Sequence, residues 1–405
     1  MRTRYGVSPW VDSFPAKKRP DYPRLRGEHT AGVVIVGGGL TGCATAYACA
    51  AAGMRPLLIE ADRIGQGSAG RGAGLLLPEP GPAFRDVAKA HGFRAAKRIF
   101  EGWKKASSDG AALLRRLNIR CDLEACDDVL VGRRDGEKDL RRELEARVEG
   151  KLDARWTTPP SIRQSLALEA VGGVKLGGGF TLDPYRACLG LAAAAGKRGG
   201  TLFERSAVKK VRVGRKQVDV ILDGAVIHAD TVIISTGIAT AEFKPLRRHF
   251  KRRETYLVMT EPLPAAMRKQ LGRQDLTIRD TASPRHRIRR TKDGRVVIAG
   301  GDRDETPARQ RDAVRVQRTG QLMYELLMMY PAISGLQPEY GWEMPYGETA
   351  DGLMYIGSHR NYPRHLFALG SSGDSIAGAF LAARILSRAA RGDEDKADEV
   401  FGWTR

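Results

Sequence analysis

The chain has 405 residues and no stretch of ~18 or more consecutive apolar residues, so it offers no membrane-spanning helix. Cysteine is scarce: five residues, Cys43, Cys49, Cys121, Cys126 and Cys188, with no C-x-x-C pair and no zinc-ligand set. That count excludes a disulfide-stapled scaffold and fits a reducing compartment. Aromatic residues make up only 7%, and no aromatic-interleaved RNA-binding motif accompanies the basic residues. Acidic residues are in deficit, 47 Asp and Glu against 67 Lys and Arg, which gives a formal charge of +20. The basic residues are spread along the chain, with clusters at 16–19, 247–253 and 285–290, so the charge reads as dispersed rather than as a nucleic-acid footprint. The N-terminus is charged but has no apolar central run, which argues against a secretory signal. These absences leave a soluble, cytoplasmic enzyme as the expectation, with no metal and no nucleic-acid partner.

What is present starts at residue 33. Val33 to Val36 form a short apolar run that reads as a strand buried on both faces in a parallel sheet. Gly37, Gly39 and Gly42 follow in G-x-G-x-x-G spacing, then an Ala-rich helix stopped by Gly53, then a second strand at 56–59 that closes on Glu60. Each part suits a dinucleotide. Gly37 permits the tight turn, Gly39 lets backbone N–H groups approach a pyrophosphate, and Gly42 lets the helix pack on the strand. Glu60 falls 60 − 37 = 23 residues after the first glycine, near the roughly 20 expected for a carboxylate that binds ribose hydroxyls.

Further along, residues 1–30 read as an irregular, proline-bearing arm, and residues 92–117 as a helix with Phe93, Ala96, Ile99, Phe100 and Trp103 on one face. Residues 136–148 read as a charged, solvated helix. A turn precedes a helix starting at Asp183-Pro184, and strands are expected at 207–213, 217–222 and 225–234, the last running into Ser235-Thr236-Gly237. Segments 254–260, 284–290 and 295–299 alternate as strands of a separate sheet.

In this order the pieces resemble the D-amino-acid oxidase-like superfamily of FAD-dependent amine and amino-acid oxidoreductases, which includes glycine oxidase, sarcosine oxidase and glutamylputrescine-type amine oxidases. Four stretches carry the likeness: VVIVGGGLTG with LLIEADRIGQGSAGRGAGLL, GGFTLDPYRAC, VIISTG, and DGLMYIGSHRNYPRHLFALGSSGDSIAGAFLAARIL. The resemblance implies an α/β fold. A discontinuous Rossmann-like FAD-binding domain would comprise 33–87, 150–240 and 345–392. An inserted substrate domain of antiparallel β-sheet plus helices would comprise 88–149 and 241–344, with an N-terminal arm at 1–32 and a C-terminal tail at 393–405. It further implies that Gly37, Gly39, Leu40, Thr41 and Gly42 line the pyrophosphate, that Glu60 and Ala61 meet the adenosine ribose, and that Val208 faces the adenine. Ser68, Arg71, Gly72 and Ala73 would run past the flavin. Thr236 and Gly237 complete the site, and Gly370, Ser372, Gly373, Asp374, Ser375 and Ile376 would approach the flavin pyrimidine.

The chain departs from the family's pattern in three places. Arg71 stands where some members attach FAD through a histidine, and no cysteine follows Cys188, so noncovalent FAD is expected. No arginine lies between Gly341 and Asp351, where glycine oxidase-like members clamp the substrate carboxylate. Glu343 and Tyr346 occur there instead, and Glu343 either suits a cationic amine or is a structural carboxylate paired with a nearby arginine. His286 and Glu343 are the candidates to take the substrate proton, a satisfied structural histidine being the other reading of His286, and Tyr256 and Tyr346 are the candidates to orient the amine. Arg285, Arg287 and Arg289 share one strand face and either supply the missing cation or point to water. The expected reaction is C–N oxidation by hydride transfer to flavin N5, with O2, a quinone or a protein as electron acceptor. A flavin monooxygenase and a flavoprotein acting on a modified tRNA base are the rivals.

Overall fold

The computed structural model describes residues 2–133, 136–370 and 376–405. Val33, Val34 and Ile35 are buried as their run of β-branched side chains dictates, and their strand, Gly27–Val36, lies inside an eight-stranded sheet. Its order is Tyr355–His359, Tyr362–Leu369, Ala225–Gly237, Gly27–Val36, Leu57–Ile59 and Thr201–Phe203. From Tyr362–Leu369 to Thr201–Phe203 all pairs are parallel. The hairpin Val208–Val213 and Val218–Leu222 attaches to the first half of Ala225–Gly237.

A second sheet has ten strands. Its order is Arg4–Tyr5, Pro338–Glu348, Lys251–Thr260, Val296–Asp304, Arg287–Arg290, Leu276–Asp280, Glu124–Val131, Gly173–Thr181 and Leu75–Leu76, with Arg155–Thr157 also on Gly173–Thr181. The sheet is mixed rather than purely antiparallel: Arg4–Tyr5 runs parallel to Pro338–Glu348, and Leu276–Asp280 parallel to Glu124–Val131. The fold is therefore mixed α/β with parallel and antiparallel sheets.

Strand pairing departs from two of the expected bounds. Residues 155–157 and 173–181 join the larger sheet, not the smaller one expected for 150–240. The glycines at 177–179 look like a turn in sequence, yet pairing with Glu124–Val131 brings Val174 and Leu176 into an apolar cluster with Leu140. The arm ends at residue 26, since Gly27 already opens a strand, and it is anchored by pairing of Arg4–Tyr5 and by buried Trp10. The last residues are docked: Phe401 packs on Trp103, and Arg405 binds Asp351 and lies over Tyr355 at 3.9 Å.

Helices Leu40–Ala51, Pro184–Lys197, Ile376–Ala389 and Phe93–Arg116 share one apolar cluster with inward residues of both sheets, among them Ile35, Leu58, Leu257 and Trp342. Each fully buried Leu, Ile or Phe there contributes about 1.5–3 kcal/mol. Helix Arg311–Met329 packs on the larger sheet through Leu322 and Leu326 against Val258 and Ile298. Among the described residues no helix is long and apolar enough to cross a membrane.

Helix Glu137–Glu149 is not simply solvated. Arg147 is buried and binds Glu143 at 2.6 Å and also Glu79, while Arg279 joins Glu79 at 2.6 Å to Asp128 at 2.7 Å. Burial opposes the charged form of Glu79 most strongly, but Arg147 and Arg279 outweigh it and hold its carboxyl at about 2. This network fixes the segment after Leu75–Leu76 against both the helix and the larger sheet.

Candidate active site

The first strand ends at Gly37 with φ of 108°, where an added Cβ would lie 2.7 Å from the Ser235 carbonyl oxygen. Glycine is required there by both conformation and space. A Cβ on Gly42 would lie 1.8 Å from the Gly37 carbonyl oxygen, so this glycine lets the helix start against the strand end. Gly39, the N-cap of helix Leu40–Ala51, differs: no side chain caps the helix, and a Cβ would meet nothing within 4 Å. The helix thus presents backbone donors and the positive end of its dipole to open space. Glu60, at the end of the next strand, accepts from the amides of Gly38 at 2.6 Å and Asp62 at 2.9 Å.

The turn Ser68–Arg71 is held from the other side. Ser68 Oγ donates to the Pro345 carbonyl at 2.8 Å, Trp342 Nε1 to the Arg71 carbonyl at 2.8 Å, and Trp10 Nε1 to the Gly72 carbonyl at 2.9 Å. Two buried indoles from distant parts of the chain therefore set the path of residues 68–72.

Between these elements lies a cavity of about 610 Å³ that bridges the two sheets. The smaller sheet and its loops contribute Gly37, Gly39, Glu60, Val208, Thr236, Gly237 and Gly370. The larger sheet contributes Arg252, Glu254, Glu343 and Tyr346, joined by Glu305 and by Arg311 at the head of its helix. Glu343 is gripped at two points by Arg315, 2.6 Å to Nε and 3.1 Å to Nη2, and Arg71 lies 3.6 Å away. Arg252 pairs with Glu305 at 2.6 Å. Buried Glu254 accepts from Tyr256 Oη at 2.7 Å, Thr306 N at 3.0 Å and Thr306 Oγ1 at 2.8 Å. Burial, followed by the nearby Asp302 carboxylate, pushes the Tyr346 phenol up to about 12.

Residues 32–389 match the family model described as FAD dependent oxidoreductase. The chain belongs to that family. It is 24% identical over 392 residues to the probable oxidoreductase OrdL of Haemophilus influenzae, covering 93% of this chain and 86% of the relative. It is also 24% identical over 387 residues to gamma-glutamylputrescine oxidoreductase of Escherichia coli, covering 95% and 89%. Among solved structures it resembles glycine oxidase from Geobacillus kaustophilus with a TM-score of 0.78, at 19% identity, over 93% of this chain and 99% of that one.

The FAD-dependent oxidoreductase fold brings most of the expected cofactor residues together. Gly37, Gly39, Leu40, Thr41, Glu60, Ala61, Ser68, Arg71, Gly72, Val208, Thr236, Gly237, Gly370 and Ile376 all line the cavity. Gly42 and Ala73 do not: Gly42 serves close packing, and Ala73 is buried in the main apolar cluster. Ser372, Gly373, Asp374 and Ser375 lie outside the described residues. The lining fits FAD through the uncapped helix start at Gly39, the open space there, and the carboxylate of Glu60 at the strand end.

The catalytic candidates divide. Glu343 and Tyr346 line the cavity, whereas His286 and Tyr256 do not. Tyr256 stands one hydrogen bond behind it, on Glu254. His286 bridges Asp280 at 2.8 Å and Glu325 at 2.9 Å, tying strand Leu276–Asp280 to helix Arg311–Met329. Burial works against its charged form, but the two carboxylates outweigh burial and raise its pKa. Glu343 pairs with Arg315, which agrees with its reading as a structural carboxylate rather than as an open anion for a cationic amine. The arginine strand supplies no cavity cation, and of its three arginines Arg285 is the exposed one. Arg289 is buried over Trp10 at 4.9 Å and donates to the Gly74 carbonyl, Arg287 meets Thr255 and Asp302, and Arg285 donates to the Gly81 carbonyl.

Sequence reading missed Arg252, Glu254, Glu305 and Arg311. Strand register brings Arg252, opposite Gly347, and Glu254, opposite Pro345, to the cavity, and Arg311 arrives at the head of a docked helix.

Proposed function

We propose that the protein binds FAD noncovalently in this cavity and oxidises a C–N bond of a small amine or amino acid by hydride transfer to flavin N5, giving an imine that water hydrolyses. The observation that carries this reading is the single cavity running from the uncapped helix start at Gly39 to Tyr346 and Arg311, in a chain of this family. When bound, FAD supplies the hydride acceptor.

The chain's own residues supply binding and positioning. Backbone donors at Gly37, Gly39, Leu40 and Thr41 would hold the pyrophosphate, Glu60 and Ala61 the adenosine ribose, and Val208 the adenine. Ser68, Arg71 and Gly72 would flank the ring system, with Thr236, Gly237, Gly370 and Ile376 closing the opposite wall. Noncovalent binding is supported by the lining, where no described residue is His or Cys; residues 371–375, SSGDS, contain neither.

On the substrate side Tyr346 keeps its proton at neutral pH, because its phenol is raised to about 12. It orients the amine by hydrogen bonding and does not take its proton. Glu343 acts as a positioning residue: it fixes Arg315 and draws Arg71 to the wall. Electrons leave for O2, a quinone or a protein, a choice that oxygen-uptake measurements decide.

Product analysis tests the reading. Incubation of the flavin-loaded protein with amines or amino acids and an electron acceptor is expected to release a carbonyl compound with ammonia or an amine. A hydroxylated product retaining the C–N bond would contradict it.

A further inference from the structure

We propose that Arg311 receives a carboxylate of the substrate, so that the protein takes amines or amino acids bearing an anionic group. This rests on the C–N reading for the chemistry but not for the anion site itself.

Three arginines line the cavity: Arg71, Arg252 and Arg311. Arg252 is neutralised by Glu305 at 2.6 Å, and Arg71 lies 3.6 Å from Glu343. The Arg311 side chain is half-buried and makes no ion pair or hydrogen bond with any described residue. Its helix shows why. Arg311 and Arg315 are one turn apart and point to the same side, and Arg315 takes both oxygens of Glu343, leaving no carboxylate for its neighbour. The remaining lining acid of the larger sheet, Glu254, is occupied by three donors from Tyr256 and Thr306. A guanidinium partly withdrawn from water in a binding cavity is well suited to a two-point grip on a carboxylate.

The placement also changes which substrates fit. No arginine occurs between Gly341 and Asp351, and Met344 and Tyr346 line the cavity from that strand instead. An anion held by Arg311 is fixed from a helix head rather than from that strand. Distance between that cation and the reacting carbon would then select substrate length.

The test uses FAD-loaded protein and non-oxidisable probes: acetate, butanoate and hexanoate with their neutral amides, titrated against the flavin absorption spectrum. Wild type is expected to bind at least one carboxylate in preference to its amide. Arg311→Gln is expected to weaken that carboxylate by about tenfold or more and leave the amide unchanged, with Arg311→Lys intermediate. Equal carboxylate binding by wild type and Arg311→Gln would overturn the proposal, as would no binding of any carboxylate to wild type. Anaerobic flavin reduction by 4-aminobutanoate, 6-aminohexanoate, amino acids and plain alkylamines separates the two readings. Arg311-dependent carboxylate binding with no reduction by any of these would sink the C–N reading and keep the anion site. Reduction by alkylamines and aminoalkanoates alike, unaffected by Arg311→Gln, would keep the C–N reading and remove the anion site.

Discussion

Glu343 and Arg315 meet in a two-point ion pair, Oε2 to Nε at 2.6 Å and Oε1 to Nη2 at 3.1 Å, in the wall between the cavity and helix Arg311–Met329. Both side chains are largely buried, so removing one partner strands the other. Glu343→Gln is expected to cost about 3 kcal/mol in urea unfolding of the FAD-loaded protein. Flavin reduction by a good substrate should survive. A loss of about 10²-fold or more with stability unchanged would instead mark Glu343 as the proton acceptor.

Two glycines of the first motif separate packing from cofactor binding. Gly42→Ala places a methyl 1.8 Å from the Gly37 carbonyl, so the helix must shift, at a cost of about 1–3 kcal/mol or more. Gly39→Ala meets no protein atom and keeps an ordinary φ of −74°, but its methyl stands in the opening before the helix. Apo-protein melting is expected to fall for Gly42→Ala and hold for Gly39→Ala, while FAD affinity falls for both. Normal FAD affinity in Gly39→Ala would mean that the pyrophosphate is not held there.

Acid should loosen the protein through Glu79. Its folded pKa of about 2 lies below the ordinary 4.5, so its stabilising contribution is fully present above about pH 4.5 and is lost as pH falls toward 2. The contribution is about 3 kcal/mol by linkage. Urea midpoints of wild type should fall across that window, and those of Glu79→Gln, low already at neutral pH, should fall less. Parallel curves would refute the assignment.

His286 carries the opposite sign. Its folded pKa is raised above 6.5, so its bridge between Asp280 and Glu325 stabilises fully below about pH 6.5 and is lost as pH rises through the folded value. His286→Gln should remove that alkaline decline in melting temperature. Because the ring does not line the cavity, the pH profile of flavin reduction should keep its shape. A shifted profile would return His286 to the chemistry.

The nucleotide half of the site was legible because local rules write it. Gly37, Gly39 and Gly42 have spacing imposed by one turn, and Asp183-Pro184 opens its helix by capping, as the Asp183 bond to the Arg186 amide shows. The substrate half was not. Arg252, Glu254 and Arg311 gain their positions from strand register and helix docking, which leave no local pattern. The bridge made by His286 was not legible, because its partners, 6 and 39 residues away, give the isolated histidine no sequence signature. The strand Gly173–Thr181 was hidden by its glycines, where pairing on both sides overrides weak strand propensity.

Anaerobic mixing of the purified yellow protein with a panel of amines, aminoalkanoates and amino acids, alongside NADPH alone, decides whether the flavin is reduced from a C–N bond. Bleaching of the flavin by at least one member of the panel, and none by NADPH, is expected. Bleaching by NADPH, with none by any amine or amino acid, would contradict C–N oxidation.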